Sequence, residues 1–214
     1  MDIIPFSLGY PSGRFLALVR CYQHVFACAP WRQWQQCANP NCAEGPWGYE
    51  DRAFLEECEY QHCGLSMVDC WPDARMADFV RREIDPESSC WIAVDRGVVV
   101  GFCVGRPTTI GCLGTTIGLT PGQPAILPAD MPVAVHNRIA VDETYRQGGV
   151  ARALFRRFLA YFRSRGLDLT LACVHAPPIL SPVLPWFKRL GYRAVAKCGD
   201  GRMVLTRPLQ GLVV

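Results

Sequence analysis

The sequence contains no long apolar segment and carries little net charge. No apolar run approaches the roughly 20 residues that a membrane-spanning helix requires, and Met1 and Asp2 lack the basic start of a secretory signal. The formal net charge is only +3, and the basic residues are spread along the chain rather than gathered in one block. This distribution does not favour nucleic-acid binding. We therefore expect a cytoplasmic protein without a membrane or nucleic-acid partner.

The chain also lacks internal repeats and low-complexity tracts. Half of its 214 residues are hydrophobic and 19% are charged, which excludes a disordered or fibrous protein. Helical and strand periodicity is absent between Pro30 and Trp71, where tryptophans, cysteines, glycines and prolines are concentrated. We predict one globular domain over residues 1–214 with a cysteine-rich insert at about 30–71.

Cysteines are abundant, with 12 in the chain. Because no export signal is evident, disulfides are the least favoured explanation. Cys37 and Cys42 form one C-x4-C pair and Cys58 and Cys63 form another, a spacing at the loose end of the range for zinc knuckles. A structural zinc on these four thiolates would replace the apolar core that the insert lacks. The alternative is four reduced thiols in an aromatic-rich insert. Other candidate ligands nearby are His62, Cys28 and Cys70.

Apolar periodicity elsewhere predicts an α/β protein. The predicted helices cover residues 13–29, 73–84, 149–165 and 182–190, and the predicted strands cover 91–95, 98–105, 133–141, 167–174, 192–197 and 202–206. Asp73 is the expected N-cap of the second helix. The glycine-, threonine- and proline-rich stretch 108–130 is expected to be a loop, with one strand inside it as the alternative.

Two adjacent glycines, Gly148 and Gly149, separate the strand at 133–141 from the helix at 149–165. The first turn of a helix has amide groups without helical partners and the positive end of the helix dipole, so a phosphate is the expected ligand. Neither G-x-G-x-x-G nor G-x-x-x-x-G-K-[ST] is present. An ordinary strand-to-helix turn is the alternative.

The loop R-Q-G-G-V-A at 146–151 resembles the [RQ]-x-x-G-x-[GA] loop of GNAT-type (GCN5-related) N-acetyltransferases. The segments 139–141, 100–103 and 186–192 resemble further elements of that superfamily, so the likeness covers roughly residues 73–206. It implies a mixed central sheet, splayed between strands four and five and flanked by helices, with acetyl-CoA in the gap.

The resemblance also implies which residues bind acetyl-CoA. The backbone of the strand end would hydrogen-bond the pantetheine arm, and the loop amides would hold the pyrophosphate. The implied pantetheine residues are Ile139, Ala140 and Val141, and the implied pyrophosphate residues are Arg146, Gln147, Gly148, Gly149, Val150 and Ala151, with Arg152 at the edge.

The sequence departs from the family at two positions. Phe187 stands where the family often has a tyrosine that protonates the leaving thiolate, and Leu180 stands where an asparagine is common. A thiolate with a free pKa of about 8 to 9 leaves with little help, so a base is needed more than an acid. His136 is the predicted base, because it lies on the strand leading to Ile139 and histidine titrates near neutrality. His175 is the reserve candidate.

The sequence therefore predicts an acetyl-CoA-dependent N-acetyltransferase that moves an acetyl group directly to a primary amine. The alternative is a non-catalytic zinc-ribbon binding module that uses the fold as an acyl-CoA sensor or scaffold. The amine could be a polyamine, an aminoglycoside, an amino acid or a protein amine, and the oligomeric state stays open.

Overall fold

The structure, a computed structural model, describes residues 1–28, 31–39, 41–42, 46–48, 65–117, 127–175, 183–198 and 201–209. Its strands are β1 (Asp2–Phe6), β2 (Gln35–Cys37), β3 (Met67–Asp69), β4 (Ser89–Asp95), β5 (Val98–Thr109), β6 (Pro132–Val141), β7 (Leu169–His175), β8 (Arg193–Lys197) and β9 (Arg202–Pro208). Its helices are α1 (Ser12–Ala27), α2 (Asp73–Glu83), α3 (Ile110–Ile117), α4 (Val150–Ser164) and α5 (Val183–Arg189).

Seven strands form one mixed sheet in the order β1-β4-β5-β6-β7-β9-β8. Neighbouring strands run antiparallel except β6 and β7, which run parallel. Helices α1 and α2 pack on one face of this sheet, while α4 and α5 pack on the other. The prediction of a mixed α/β sheet flanked by helices is confirmed.

The sheet opens between its fourth and fifth strands. β6 and β7 pair only from Ala134 with Thr170 to His136 with Ala172, although β6 continues to Val141 and β7 to His175. In the described part of the chain, the last five residues of β6 therefore have no register partner on β7 and border a gap. The predicted splay between strands four and five lies at this position.

A β-bulge in β6 lies where the gap begins. The β5 partner of His136 is Gly105 and the partner of Arg138 is Val104, so Asn137 is the extra residue. As a result two consecutive side chains face α2: Asn137 borders a pocket with Phe79 and Arg138 lies over the Phe79 ring. His136 faces the opposite side, toward α4.

The α4 helix is positioned by its apolar stripe. Its fully buried members are Leu154, Phe155, Phe158, Leu159 and Phe162, at the three- and four-residue spacing that places side chains on one helix face. They share a core with residues of β4, β5, β6 and β7. The amphipathic helix predicted over 149–165 is thus confirmed, and its N-terminus lies directly after the strand that borders the gap.

Three details differ from the sequence-based expectations. Asp73 is the first residue of α2 and not its N-cap, since Pro72 takes the cap position without a side-chain cap hydrogen bond. The expected loop at 108–130 is wrong in its first part, because β5 extends to Thr109 and α3 follows. β1 escaped prediction because it is a five-residue edge strand without clear alternation.

The insert at about 30–71 is described at its ends. β2 and β3 pair antiparallel in a separate two-stranded sheet, and Trp47 forms an isolated bridge with Gln35. Residues 49–64 lie outside the described part, so the boundaries of the insert stay a prediction. In the part of the chain that the structure describes, no helix is long and apolar enough to cross a membrane.

Candidate active site

The segment after β6 is organised by Asp142. Its Oδ1 accepts hydrogen bonds from the Thr144 amide (2.9 Å) and the Thr144 hydroxyl (2.6 Å), which fixes a short 3-10 turn at Glu143–Tyr145. Its Oδ2 lies 3.1 Å from His24 Nε2 on α1. The Tyr145 hydroxyl donates to Asp95 Oδ2 at 3.1 Å. These contacts attach the segment that precedes the glycines to α1 and to the end of β4.

The glycine loop then turns through left-handed backbone. Gln147 has φ +67° and Gly149 has φ +81°. A Cβ atom placed on Gly149 would meet nothing within 4 Å, so glycine is required there for its backbone angle and the space beside it is open. Because Gly149 caps α4 without a side-chain hydrogen bond, the N–H groups of the first turn remain available as hydrogen-bond donors. An anion at this point would also meet the positive end of the helix dipole.

The residues expected to hold pantetheine lie on the open part of β6. Ile139, Ala140 and Val141 pair with β5 on one side and have no register partner on β7 on the other. The structure thus brings together the gap-facing strand end and the glycine loop, as the resemblance implied.

His136 lies in an aromatic enclosure. Its ring makes edge contacts with Phe155, Phe158 and Phe187 at centroid distances of 5.4, 5.2 and 5.5 Å. Its Nε2 is buried and has no hydrogen-bond partner among the described residues. Burial lowers the pKa of this histidine from 6.5 to about 3. The expectation that it titrates near neutrality is therefore wrong, and its role as the base stays a prediction.

The departures from the family pattern fall in the same aromatic layer. Phe187 is buried and packs against the Tyr192 ring, and the Tyr192 hydroxyl is 3.1 Å from Thr170 Oγ1. Burial raises the pKa of Tyr192, so this phenol stays protonated, and its ring packs in the core. Leu180 and the side chain of His175 lie outside the described part of the chain.

Two of the four expected zinc ligands can be placed. Cys37 is buried on β2, and its Sγ accepts a hydrogen bond from the Asn39 amide at 3.4 Å. Cys42 is half-buried. Cys58 and Cys63 lie outside the described residues, and the residues that are described contain no group of three potential ligands. Structural zinc in the insert remains a prediction.

A buried carboxylate on the α2 face was missed by sequence reasoning. Glu83, the last residue of α2, has its Oε1 3.3 Å from Arg138 Nε in an ion pair, and its side chain is only 15% exposed. Its Oε2 and the Tyr22 hydroxyl are buried and have no well-formed hydrogen bond among the described residues. Burial raises the pKa of Glu83, and the nearby Arg138 opposes this rise.

Glu83 borders a pocket on this face of the sheet. The pocket has a volume of about 390 Å³, and its described lining residues are Phe79, Arg82, Glu83, Arg106 and Asn137. A single sequence signal could have led to this site. Arg138 is the one permanently charged residue of β6, and a half-buried charge requires a partner.

Solved structures with this fold cover almost all of the chain. A protein from Desulfovibrio desulfuricans assigned to the GNAT acetyltransferases aligns with 97% of this chain and 98% of its own, at 14% identity and a TM-score of 0.57. The ribosomal-protein-S18-alanine N-acetyltransferase from Escherichia coli aligns over 100% and 99%, at 12% identity and 0.51. An aminoglycoside 6'-N-acetyltransferase complexed with coenzyme A aligns over 98% and 97%, at 12% identity and 0.52. At these identities the likeness shows the fold alone, and no curated protein sequence matches the chain significantly.

The splayed sheet and the glycine loop at its opening define the class of CoA-dependent acetyltransferase folds. A sequence model described as "Acetyltransferase (GNAT) family" matches residues 31–192. The chain belongs to the GNAT acetyltransferase family.

Proposed function

We propose that the protein is an acetyl-CoA-dependent N-acetyltransferase that moves the acetyl group directly to a primary amine. The observation that carries this proposal is the uncapped N-terminus of α4, which follows Gly149 in left-handed backbone at the open end of the sheet. Family membership supplies the expectation of acetyl-CoA. The amides of 146–151, with Arg152 at the edge, are proposed to hold the pyrophosphate.

Direct transfer places simple demands on the site. The amine must be neutral to attack, and the developing oxyanion must be stabilised. His136 is the base predicted from sequence, but its ring is buried among three aromatic side chains. A base with a pKa of about 3 also has little driving force for taking a proton from an ammonium group. A base on the other face of the sheet fits the chemistry better.

Structural zinc is part of the proposal in a separate role. The thiolates of Cys37, Cys42, Cys58 and Cys63 would supply a tetrahedral set. Cys37 ends β2, which pairs with β3 in a sheet separate from the seven-stranded sheet that carries the α4 loop. We expect metal removal to affect the insert and leave acetyl-CoA binding intact.

The test compares two glycines at opposite ends of α4. Gly149 has φ +81° and Gly166 has φ +77°, and a Cβ at either position meets nothing within 4 Å. A side chain therefore carries the same backbone cost at both sites, roughly 1 kcal/mol. We expect saturating CoA at about 100 times its Kd to add about 2.7 kcal/mol to wild-type stability, roughly 5 to 10 °C in Tm.

Gly166→Glu should keep this CoA-dependent rise in Tm, and Gly149→Glu should lose it, because its carboxylate occupies and repels the phosphate position. The measurement is a thermal melt of each protein with and without CoA. Equal rises in the two variants would contradict phosphate binding at the α4 N-terminus. No rise in the wild type at millimolar acetyl-CoA would contradict the proposed function itself.

A further inference from the structure

The pocket beside Glu83 lies where a bound thioester would end. Asn137 lines the pocket and is the first β6 residue beyond the last β6–β7 pair. A ligand with its phosphates at the α4 N-terminus and its arm along 139–141 would run toward Asn137, about 13 Å from Val141 at 3.3 Å per strand residue. The pocket thus opens on the α2 face at the reactive end of the gap.

Groups from four neighbouring elements interact electrostatically with Glu83. They are Tyr22 from α1, Cys90 from β4, Arg106 from β5 and Arg138 from β6. Burial raises the pKa of Tyr22 and of Cys90, so both stay neutral. The carboxylate is therefore the one acidic group that can ionise near neutral pH among these five side chains. Its Oε2 has the Tyr22 hydroxyl as a nearby donor, but this contact falls short of a well-formed hydrogen bond, so the carboxylate keeps acceptor capacity.

We propose that this pocket binds the acceptor amine and that Glu83 is the catalytic residue that takes its proton. The inference rests on the proposed acetyltransferase function and assigns the amine to the α2 face of the sheet. Asn137 and Phe79 complete the described wall of the pocket, and Arg138 holds the carboxylate in place through the ion pair at 3.3 Å.

The transfer step balances as follows. Glu83 accepts one proton from the ammonium group, and the nitrogen lone pair attacks the thioester carbonyl carbon. The C–N bond forms, the C–S bond breaks, and the electron pair leaves on sulfur. The amide nitrogen releases its second proton, the thiolate takes up one proton, and Glu83 returns the other to solvent. A carboxylate with a raised pKa is better suited to this task than one at its ordinary value.

The charges of the pocket point to an amine that also carries an anionic group. Arg82 and Arg106 line the pocket, and neither forms an ion pair among the described residues, although Arg106 acts electrostatically on Glu83. With Glu83 engaged by the ammonium group, two guanidinium groups remain to bind a carboxylate of the same molecule. A small amino acid fits about 390 Å³, whereas a polycationic amine would be repelled by the arginines.

The first arm of the test concerns proton transfer. The isosteric variant Glu83→Gln should lower kcat at pH 7 by roughly 10² to 10⁴-fold, the usual contribution of general base catalysis. The deficit should shrink as the pH rises toward the pKa of the amine, since the amine is then neutral without help. Asp78→Asn, an exposed carboxylate on the same helix, is the control and should keep the wild-type profile. CoA-dependent Tm shifts show that each variant is folded.

The second arm concerns substrate class. CoA release is followed with glycine and L-leucine, with the matched neutral amides glycinamide and leucinamide, and with spermidine and kanamycin. The amino acids should give higher kcat/KM than their amides above the pKa of every amine compared. Arg106→Met should raise KM for the amino acids at least 10-fold, while Arg81→Met, on the exposed face of α2, should not.

Each remaining outcome decides the inference. Turnover with a pH-independent deficit in Glu83→Gln would overturn the base assignment, and a preference for spermidine, kanamycin or the neutral amides would overturn the substrate class. CoA binding without turnover of any amino acid would overturn the acceptor site while leaving the CoA loop intact. Absence of CoA binding as well would overturn the proposed function with it.

Discussion

Replacing His136 by leucine should remove a large part of the pH dependence of stability. In the unfolded chain this histidine has a pKa of about 6.5, and in the folded protein burial lowers the pKa to about 3. Below pH 6.5 the unfolded state therefore binds a proton that the folded state does not. Stability is lost progressively as the pH falls from about 6.5 to about 3.

The magnitude follows from the two pKa values. Between pH 7 and pH 5 the wild type should lose about 2 kcal/mol through this one residue, and about 5 kcal/mol once the pH is below 3. Glu83 works in the opposite direction, because a raised carboxyl pKa favours the folded state at acid pH. Its contribution is the same in both proteins and cancels in the difference.

The assay is urea unfolding of wild type and His136→Leu at pH 7 and pH 5, followed by tryptophan fluorescence. The apolar leucine side chain suits the enclosure of three phenyl rings, so we expect the variant to fold. Between pH 7 and pH 5 its free energy of unfolding should fall by about 2 kcal/mol less than that of the wild type. Equal losses in the two proteins would refute the neutral, buried state of this imidazole. The same variant tests catalysis: retained acetylation with an unchanged pH profile would remove His136 as the base.

Two further predictions concern packing and metal. Gly105→Ala should destabilise the protein by at least about 2 kcal/mol in urea unfolding, because the new Cβ would clash with the Val135 carbonyl oxygen. Gly13→Ala in α1 places a Cβ that meets nothing within 4 Å and should stabilise the protein by a few tenths of a kcal/mol. An equal, small effect at both sites would contradict the close approach of β5 and β6. Protein purified without chelator should carry about one zinc per chain by elemental analysis. The zinc should be lost in Cys37→Ser and kept in Cys112→Ser, which changes an exposed thiol on α3. Less than about a tenth of an equivalent in the wild type would contradict the zinc hypothesis.

The parts of the fold that the sequence predicts well are those with strong local signals. In three places a few neighbouring residues are enough to predict the local structure. These are the apolar stripe of α4, the Arg96–Gly97 turn between β4 and β5, and the glycines after β6. Pairing partners, in contrast, depend on contacts distant in sequence. The edge strand β1 is defined by β4, more than 80 residues later in the chain.

The face that each side chain of β6 occupies could not be read from alternation. Strict alternation would place residues 136 and 138 on one face, but the bulge at Asn137 reverses the pattern, so Arg138 joins the α2 side and His136 stays under α4. Because of this one extra residue, His136 and the Glu83 carboxylate lie on opposite faces of the sheet. Glu83 itself looks like an ordinary solvated residue at a helix end, and only tertiary structure brings it beside Arg138.

Among the residues that the structure describes, three pairs join β6 to β7, so backbone hydrogen bonds couple the two halves of the sheet weakly. The coupling is carried by the side chains beneath α4, where Ala93 and Val100 from one half share a core with Val174 and Leu205 from the other. The packing of that aromatic layer therefore determines how the two halves of the sheet meet. Substitutions at Phe155 or Phe158 would act on this junction without changing the glycine loop itself.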